Sequence, residues 1–147
     1  MARIKVQLPE RFVFTTEMDI RISDINYGGH AGNDAILSLL HEARLRFLQQ
    51  IGASETNFFG AGLIMSDAAI EYKAELFHGD RIMIHVGFSD VSKLGFDLVY
   101  KIERNILPQP VTAVLAKTGM ICFNYETKRI SALHTDAVSA LENTLQV

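Results

Sequence analysis

Cysteine is almost missing from this chain. A single Cys122 in 147 residues excludes an intramolecular disulfide framework and suits a reducing compartment. No apolar run approaches the ~20 residues of a membrane-spanning helix. The opening stretch, MARIKVQLPERF, lacks the apolar segment of a secretory signal, so a cytoplasmic protein is expected. Lysine and arginine do not cluster, and the net charge is −3, which argues against nucleic acid as a partner. No pair of histidines has metal-ligand spacing, since His78 sits in a turn and His85 in a strand pattern, and no metal is expected. A G-x-S-x-G elbow, a phosphate-binding loop and a dinucleotide fingerprint are also missing. Repeats and low-complexity tracts are not found.

What remains is an ordinary globular composition. With 48% hydrophobic and 21% charged residues, the chain reads as one domain over residues 1–147, long enough to bury a core. Residues 12–22 (FVFTTEMDIRI) are rich in aromatic and β-branched types and predict a strand. Residues 53–62 predict a short helical turn and a loop, with Phe58 and Phe59 over a core edge. From Leu63 the period becomes two, setting Ile64, Ser66, Ala68, Ile70 and Tyr72 on one face. A turn at His78-Gly79-Asp80 leads to a second alternating run through Ile82, Ile84, Val86 and Phe88. A third runs through Phe96, Leu98, Tyr100 and Ile102. Pro108 and Pro110 punctuate the next connection. Residues 111–125 predict a long strand in which Gly119 marks a bulge. A closing helix after Thr135 would turn Val138, Leu141 and Leu145 inward.

Residues 21–52 organise the rest. A strand passes through the turn Tyr27-Gly28-Gly29-His30 into the longest helical pattern of the chain. Glycines admit close backbone approach, and a helix start leaves N–H groups unpaired at the positive end of its dipole. Such a junction is suited to polarising a carbonyl or holding an anion. Asp24, Asn26, His30, Asn33 and Asp34 crowd into it. At about 100° per residue, Ile36, Leu37, Leu39, Leu40, Ala43, Phe47, Leu48 and Ile51 fill about half the helix circumference. Arg44 falls inside that arc, about 80° from Ile36, and a buried arginine needs a partner. Gly52 stands where a C-terminal cap belongs. A stripe this broad predicts an α+β fold, with an antiparallel sheet wrapped round one long central helix. None of the polar residues is decisive alone: His30 can simply bond backbone, acids near a helix start are favoured electrostatically, and His41 and Glu42 lie towards the solvated side.

The run Asp24-x-Asn26-x-x-Gly29-His30, followed by a helix containing Glu42-Ala43-Arg44, resembles the hot-dog acyl-CoA thioesterases, nearest the 4-hydroxybenzoyl-CoA thioesterase-like branch. That family reads D-x-D-x-x-G-H-V before its helix. Downstream, Ile70-x-Tyr72 and Gly79-Asp80 resemble its strand and turn. The resemblance implies a hot-dog fold, a homodimer or dimer of dimers, and active sites at the subunit interface. It implies that the thioester carbonyl meets the backbone N–H groups of Gly28, Gly29 and His30. The leaving thiol would belong to coenzyme A or an acyl carrier protein. Coenzyme A would enter only as part of the substrate, with no separate cofactor, and Lys93 would contact its nucleotide.

One departure bears on mechanism. The family's second aspartate, its catalytic carboxylate, is Asn26 here, and an amide cannot serve as a general base. General-base catalysis is worth ~10²–10⁴-fold, so another carboxylate is called for: Asp24, Asp34 or Glu42, with Asp34 and Glu42 ranked together. Asn26 also brings the stretch close to the hot-dog (R)-specific enoyl-CoA hydratases, whose motif is D-x-N-P-x-H. Here Tyr27 replaces the proline and one extra residue precedes His30, so the hydratase stands second. A non-catalytic acyl-CoA-binding protein stands third.

Overall fold

The computed structural model describes residues 2–146. Strand β1 (Phe14–Asp19) leads through a single 3-10 turn (Ile22–Asp24) to helix α1 (Asn33–Gln50). Strands β2 (Gly62–Tyr72), β3 (Arg81–Ser89), β4 (Gly95–Arg104) and β5 (Val111–Asn124) follow. A two-residue β6 (Arg129–Ile130), helix α2 (Thr135–Asn143) and a 3-10 turn (Thr144–Gln146) follow these. The sheet is antiparallel throughout, in the order β1-β3-β4-β5-β2, with β6 added to β5. Its inner face supplies Ile82, Ile84, Val86, Leu98, Tyr100, Ile102, Val114, Ala116 and Met120 to a core shared with α1. The expected α+β arrangement, one long central helix packed in a curled sheet, is the one observed. No helix among the described residues is long and apolar enough to cross a membrane.

Helix α1 ends as its sequence requires. Gly52 adopts φ +79°, its N–H reaches the Gln49 carbonyl, and the Ala53 N–H reaches that of Leu48. This paired closure satisfies two terminal carbonyls and favours glycine at the left-handed position. The buried face is narrower than the apolar arc. Ile36, Leu39, Leu40, Ala43, Phe47 and Leu48 are buried, while Leu37 remains 38% exposed.

Arg44 is the polar member of that face, 6% exposed. Its Nε donates to Glu55 Oε2 at 3.0 Å and its Nη1 to Tyr100 Oη at 3.2 Å. Tyr100 Oη in turn lies 2.7 Å from Thr118 Oγ1, and His41 Nε2 lies 2.7 Å from Glu55 Oε1. One network thereby joins α1, the 53–61 loop, β4 and β5.

The strand expectations need three adjustments. The first strand stops at Asp19, and the chain turns before the glycines instead of running extended to residue 22. The 53–61 segment contains no helix: it has bends and a tight turn at Phe59-Gly60 closed by an isolated bridge between Phe58 and Ala61. Strand β2 carries the bulge, between Met65 and Asp67 opposite Gly119 and Met120. The extra residue there reverses the alternation. Leu63 and Met65 pair with Cys122 and Met120, and Ala68, Ile70 and Tyr72 pair with Thr118, Ala116 and Val114. Both sets share the inner face, so Ile64 does not lie with Ile70. A Cβ at Gly119 would stand 2.7 Å from Asp67 Oδ1 and force that carboxylate to shift. The same carboxylate accepts the Gly119 N–H at 3.1 Å. Cys122 is fully buried, and burial pushes its thiol up, as a core cysteine requires.

An extended arm, residues 2–13, straps the outer face of the sheet. The Val13 N–H bonds the Val86 carbonyl. Phe12 lies against His85, with ring centroids 5.9 Å apart. The Val6 N–H reaches Glu71 Oε2 on β2 at 2.8 Å. The arm thus crosses from β3, beside one edge, to β2 at the other.

The Arg44 network has a consequence for acid stability. Burial alone would raise the Glu55 carboxyl, but the His41 hydrogen bond and the Arg44 guanidinium outweigh it and hold the group below the usual carboxylate range. A carboxyl depressed in the folded state contributes stability that is present above its unfolded pKa, near ~4.3. That contribution is lost as pH falls through the folded value. Urea unfolding from pH 7 to pH 3 is therefore expected to show a wild-type loss of stability that is smaller in Glu55→Gln. Parallel curves for the two proteins would contradict this.

Candidate active site

The turn before α1 is held by backbone bonds at both ends. The Ala31 N–H bonds the Leu76 carbonyl and the Gly32 N–H bonds the Asp24 carbonyl. Asp24 is buried, and its carboxylate accepts the Arg21 N–H at 2.8 Å and the Arg21 guanidinium at 3.2 Å. That carboxylate anchors the chain locally and is directed away from solvent.

Asn26 organises the turn itself. Its N–H bonds the His30 carbonyl, its carbonyl accepts the Gly29 N–H, and Oδ1 accepts the Gly28 N–H at 2.9 Å. This is an Asx-type local closure, and Gly29 at φ +86° completes it. The N–H groups of Gly28 and Gly29 are therefore used inside the turn. Of the three expected to meet a carbonyl, only the His30 N–H has no partner among the described residues. Further donors stand one turn on. Gly32 is the N-cap of α1 with no side chain bonded across it, which leaves the N–H groups of Asn33, Asp34 and Ala35 free for a ligand.

Two glycine positions show how closely the side chains converge. The point where a Cβ on Gly28 would stand is 3.2 Å from Asn26 Oδ1 and 3.4 Å from His30 Nε2. The corresponding point on Gly32 is 2.6 Å from Asp34 Oδ1 and 3.8 Å from Asn26 Nδ2. Asn26 thus borders one of these points with His30 and the other with Asp34. His30 Nδ1 lies 3.2 Å from the Ala31 carbonyl. A carbonyl can only accept, so in the neutral ring Nδ1 carries the proton and Nε2 is the acceptor. Nε2 is also 3.9 Å from Glu75 Oε1, a carboxylate that nothing in the sequence pattern singled out. It arrives from the segment between β2 and β3, and only that segment's path back to Ala31 reveals it.

His30 opens onto a cleft of about 280 Å³ lined by Ala31, Asn33, Ile36, Tyr72, Lys73, Ala74, Glu75, Leu76 and Val114. The cleft has an apolar floor and a polar mouth at the helix start. Burial raises the Tyr72 phenol, so it stays protonated and can donate a hydrogen bond. Glu42 is elsewhere. It lines a second cleft of about 450 Å³ with Glu17, Asp19, Arg21, Arg46 and Arg81, and its Oε2 accepts from Arg46 Nε at 2.8 Å. Three carboxylates and three guanidiniums balance in that cleft. Lys93 is exposed in the β3–β4 loop, away from His30. Phe58 and Leu63 are core, while Met65 is 45% exposed. Among the described residues no cluster of His, Cys, Asp and Glu could hold a metal ion.

Comparison with known proteins identifies the family. Residues 20–141 match the family described as the Thioesterase-like superfamily. The 1,4-dihydroxy-2-naphthoyl-CoA hydrolase of Rippkaea orientalis is 27% identical over 128 residues, covering 85% of this chain and 92% of that protein. The enzyme of the same name from Microcystis aeruginosa is 30% identical over 116 residues, covering 77% and 76%. Among solved structures, the 1,4-dihydroxy-2-naphthoyl-CoA thioesterase of Synechocystis superposes with a TM-score of 0.78 at 22% identity, covering 88% of this chain and 96% of that one. The family match spans most of the chain, from the end of the first strand into α2. The chain belongs to the hot-dog Thioesterase-like superfamily and is a thioesterase, an acyl-CoA hydrolase.

Proposed function

We propose that the turn from Asp24 to Asp34 is the catalytic centre and that its substrate is an aromatic acyl-CoA, with 1,4-dihydroxy-2-naphthoyl-CoA the first to try. The convergence of Asn26, His30 and Asp34 at an uncapped helix start, beside an apolar cleft, carries this reading. The names of the two relatives that share 27% and 30% of their residues with this chain support the acyl group.

In this reading the thioester carbonyl accepts hydrogen bonds from the first-turn N–H groups of α1, with the His30 N–H nearby. Negative charge developing on that oxygen is stabilised by fixed donors and the helix dipole. Asp34 takes a proton from water as the hydroxyl oxygen bonds to the carbonyl carbon. When the intermediate collapses, the C–S bond breaks and the thiolate leaves, to be protonated to the free thiol. Asn26 acts as a donor that orients water or carbonyl, which an aspartate could not do. Asp34 ranks above Glu42 because Asp34 stands beside Asn26, while Glu42 is committed to Arg46 in another cleft.

The site is completed, in the same proposal, by a second copy of the chain. Strand β2 is a sheet edge, and beyond Leu63, whose N–H and carbonyl meet Glu55 and Tyr125, no further strand covers its outer side among the described residues. Exposed Tyr27, Leu37 and Met65 lie on the turn, the helix and that strand. Apolar side chains gathered at an open edge suit an interface between copies. Light scattering at micromolar concentration is expected to give a dimer or tetramer mass, and a monomer would overturn the interfacial site.

Hydrolysis is tested by thiol release across naphthoyl-, benzoyl- and straight-chain acyl-CoAs, beside hydration of a trans-2-enoyl-CoA. Release is expected with the aromatic substrates, and hydration without release would favour the hydratase. Asp34→Asn is expected to lower kcat by ~10²–10⁴-fold, with Glu42→Gln near wild type. Asn26→Asp should also lower activity, because it adds a like charge beside Asp34 and removes a donor. Acceleration by Asn26→Asp together with full turnover in Asp34→Asn would reassign the base. Gly32→Ala offers an independent check. Its backbone, at φ −74°, accepts alanine, and stability should change by no more than about 1 kcal/mol. Its Cβ, however, would displace the Asp34 carboxylate. A fall in kcat without a fall in melting temperature is expected, and unchanged kcat would count against Asp34.

A further inference from the structure

Beyond the His30 cleft, the N-terminal arm and the end of β2 enclose a groove of about 600 Å³. It is lined by Ala2, Arg3, Ile4, Lys5, Ile70, Glu71, Tyr72 and Lys73. Tyr72 and Lys73 line the His30 cleft as well, so the two cavities adjoin at the end of one strand. Three cations face one carboxylate there. Glu71 is held by the Val6 N–H at 2.8 Å and by Lys73 Nζ at 3.2 Å. The Val6 N–H, followed by Lys73 and Lys5, keeps its carboxyl below the usual range, so it stays ionised. Arg3 and Lys5 have no hydrogen-bonded partner among the described residues, and the groove keeps two positive charges in excess. Ile4 and Ile70 give it an apolar wall.

We infer that this arm groove binds the phosphorylated nucleotide end of the coenzyme A thioester, with Arg3, Lys5 and Lys73 contacting its phosphates while the pantetheine arm passes Tyr72 into the His30 cleft. The inference rests on the acyl-CoA reading of that cleft and adds the part of the chain that selects the carrier. A concave groove with an apolar wall and a few point charges fits a nucleotide. Exposed ammonium and guanidinium groups around a concavity concentrate anions and make binding salt-dependent. The region of Lys93 fits less well. The neighbouring groove at Ser92, Leu94 and Gly95 carries Asp67, Asp90 and Asp97, whose field opposes phosphate.

The arm lies outside the core, which begins with Val13 and Phe14 packed against it, so Arg3→Ala with Lys5→Ala leaves the fold intact. Calorimetric titration with coenzyme A and with pantetheine separates the two ends of the ligand. The double variant is expected to weaken coenzyme A binding at least tenfold and to leave pantetheine binding unchanged. The dependence of coenzyme A affinity on salt should also flatten. Equal coenzyme A affinity in wild type and variant overturns the inference, as does a wild type that does not bind coenzyme A. A variant that loses hydrolysis of an acyl-carrier-protein thioester while keeping that of the acyl-CoA also overturns it and makes the groove a protein-docking surface. Normal hydrolysis with unaltered coenzyme A affinity removes the arm site and leaves the hydrolase reading. Tight coenzyme A binding without hydrolysis of any thioester does the reverse.

Discussion

Burying a guanidinium inside a sheet-wrapped helix costs several kcal/mol unless its hydrogen-bonding capacity is met, and meeting that need for Arg44 ties four parts of the chain together. Glu55 must come from the loop after α1, Tyr100 from β4 and Thr118 from β5. These contacts set how α1 sits against the middle strands. The bulge at Ser66 acts on the same relationship. By letting Leu63 and Met65 share the inner face with Ala68, Ile70 and Tyr72, it sets Tyr72 on the side of β2 that borders the His30 cleft. Packing and site geometry are thus consequences of one helix orientation.

The turn proposed as the catalytic centre is closed by its own hydrogen bonds. Asn26 spends its N–H, its carbonyl and its Oδ1 on the turn, and the Ala31 and Gly32 N–H groups are tied to Leu76 and Asp24. What stays free is a row of donors at the head of α1, with Asp34 and His30 near Asn26. A site whose donors are fixed before substrate arrives needs little reorganisation as charge develops. An aspartate at position 26 could close the turn in the same way, because the side-chain contact there is an oxygen accepting the Gly28 N–H; only the proposed donor role requires the amide. The arm crosses the sheet so that its cationic end meets β2 beside Tyr72, on the strand that borders the His30 cleft.

Much of this was legible in the residues themselves. The strand-turn-helix core, the four alternating runs, the cap at Gly52 and the crowding of polar groups at residues 24–34 follow from period, propensity and turn chemistry, which are local. The amino-acid sequence by itself determined the class of fold, the gathering of polar residues ahead of α1 and the need of Arg44 for a partner. Tertiary structure alone decided who that partner is, that β2 reverses its faces at Ser66, and that Gly28 and Gly29 spend their N–H groups on Asn26 and the helix start keeps its own. It also decided that Asp34 faces Asn26 while Glu42 turns to Arg46, and that Glu75, Lys73 and the arm gather round the same strand end. Each of these joins residues distant in sequence, or depends on which way a side chain turns once the sheet has closed round the helix, and hydrophobic period carries no record of either.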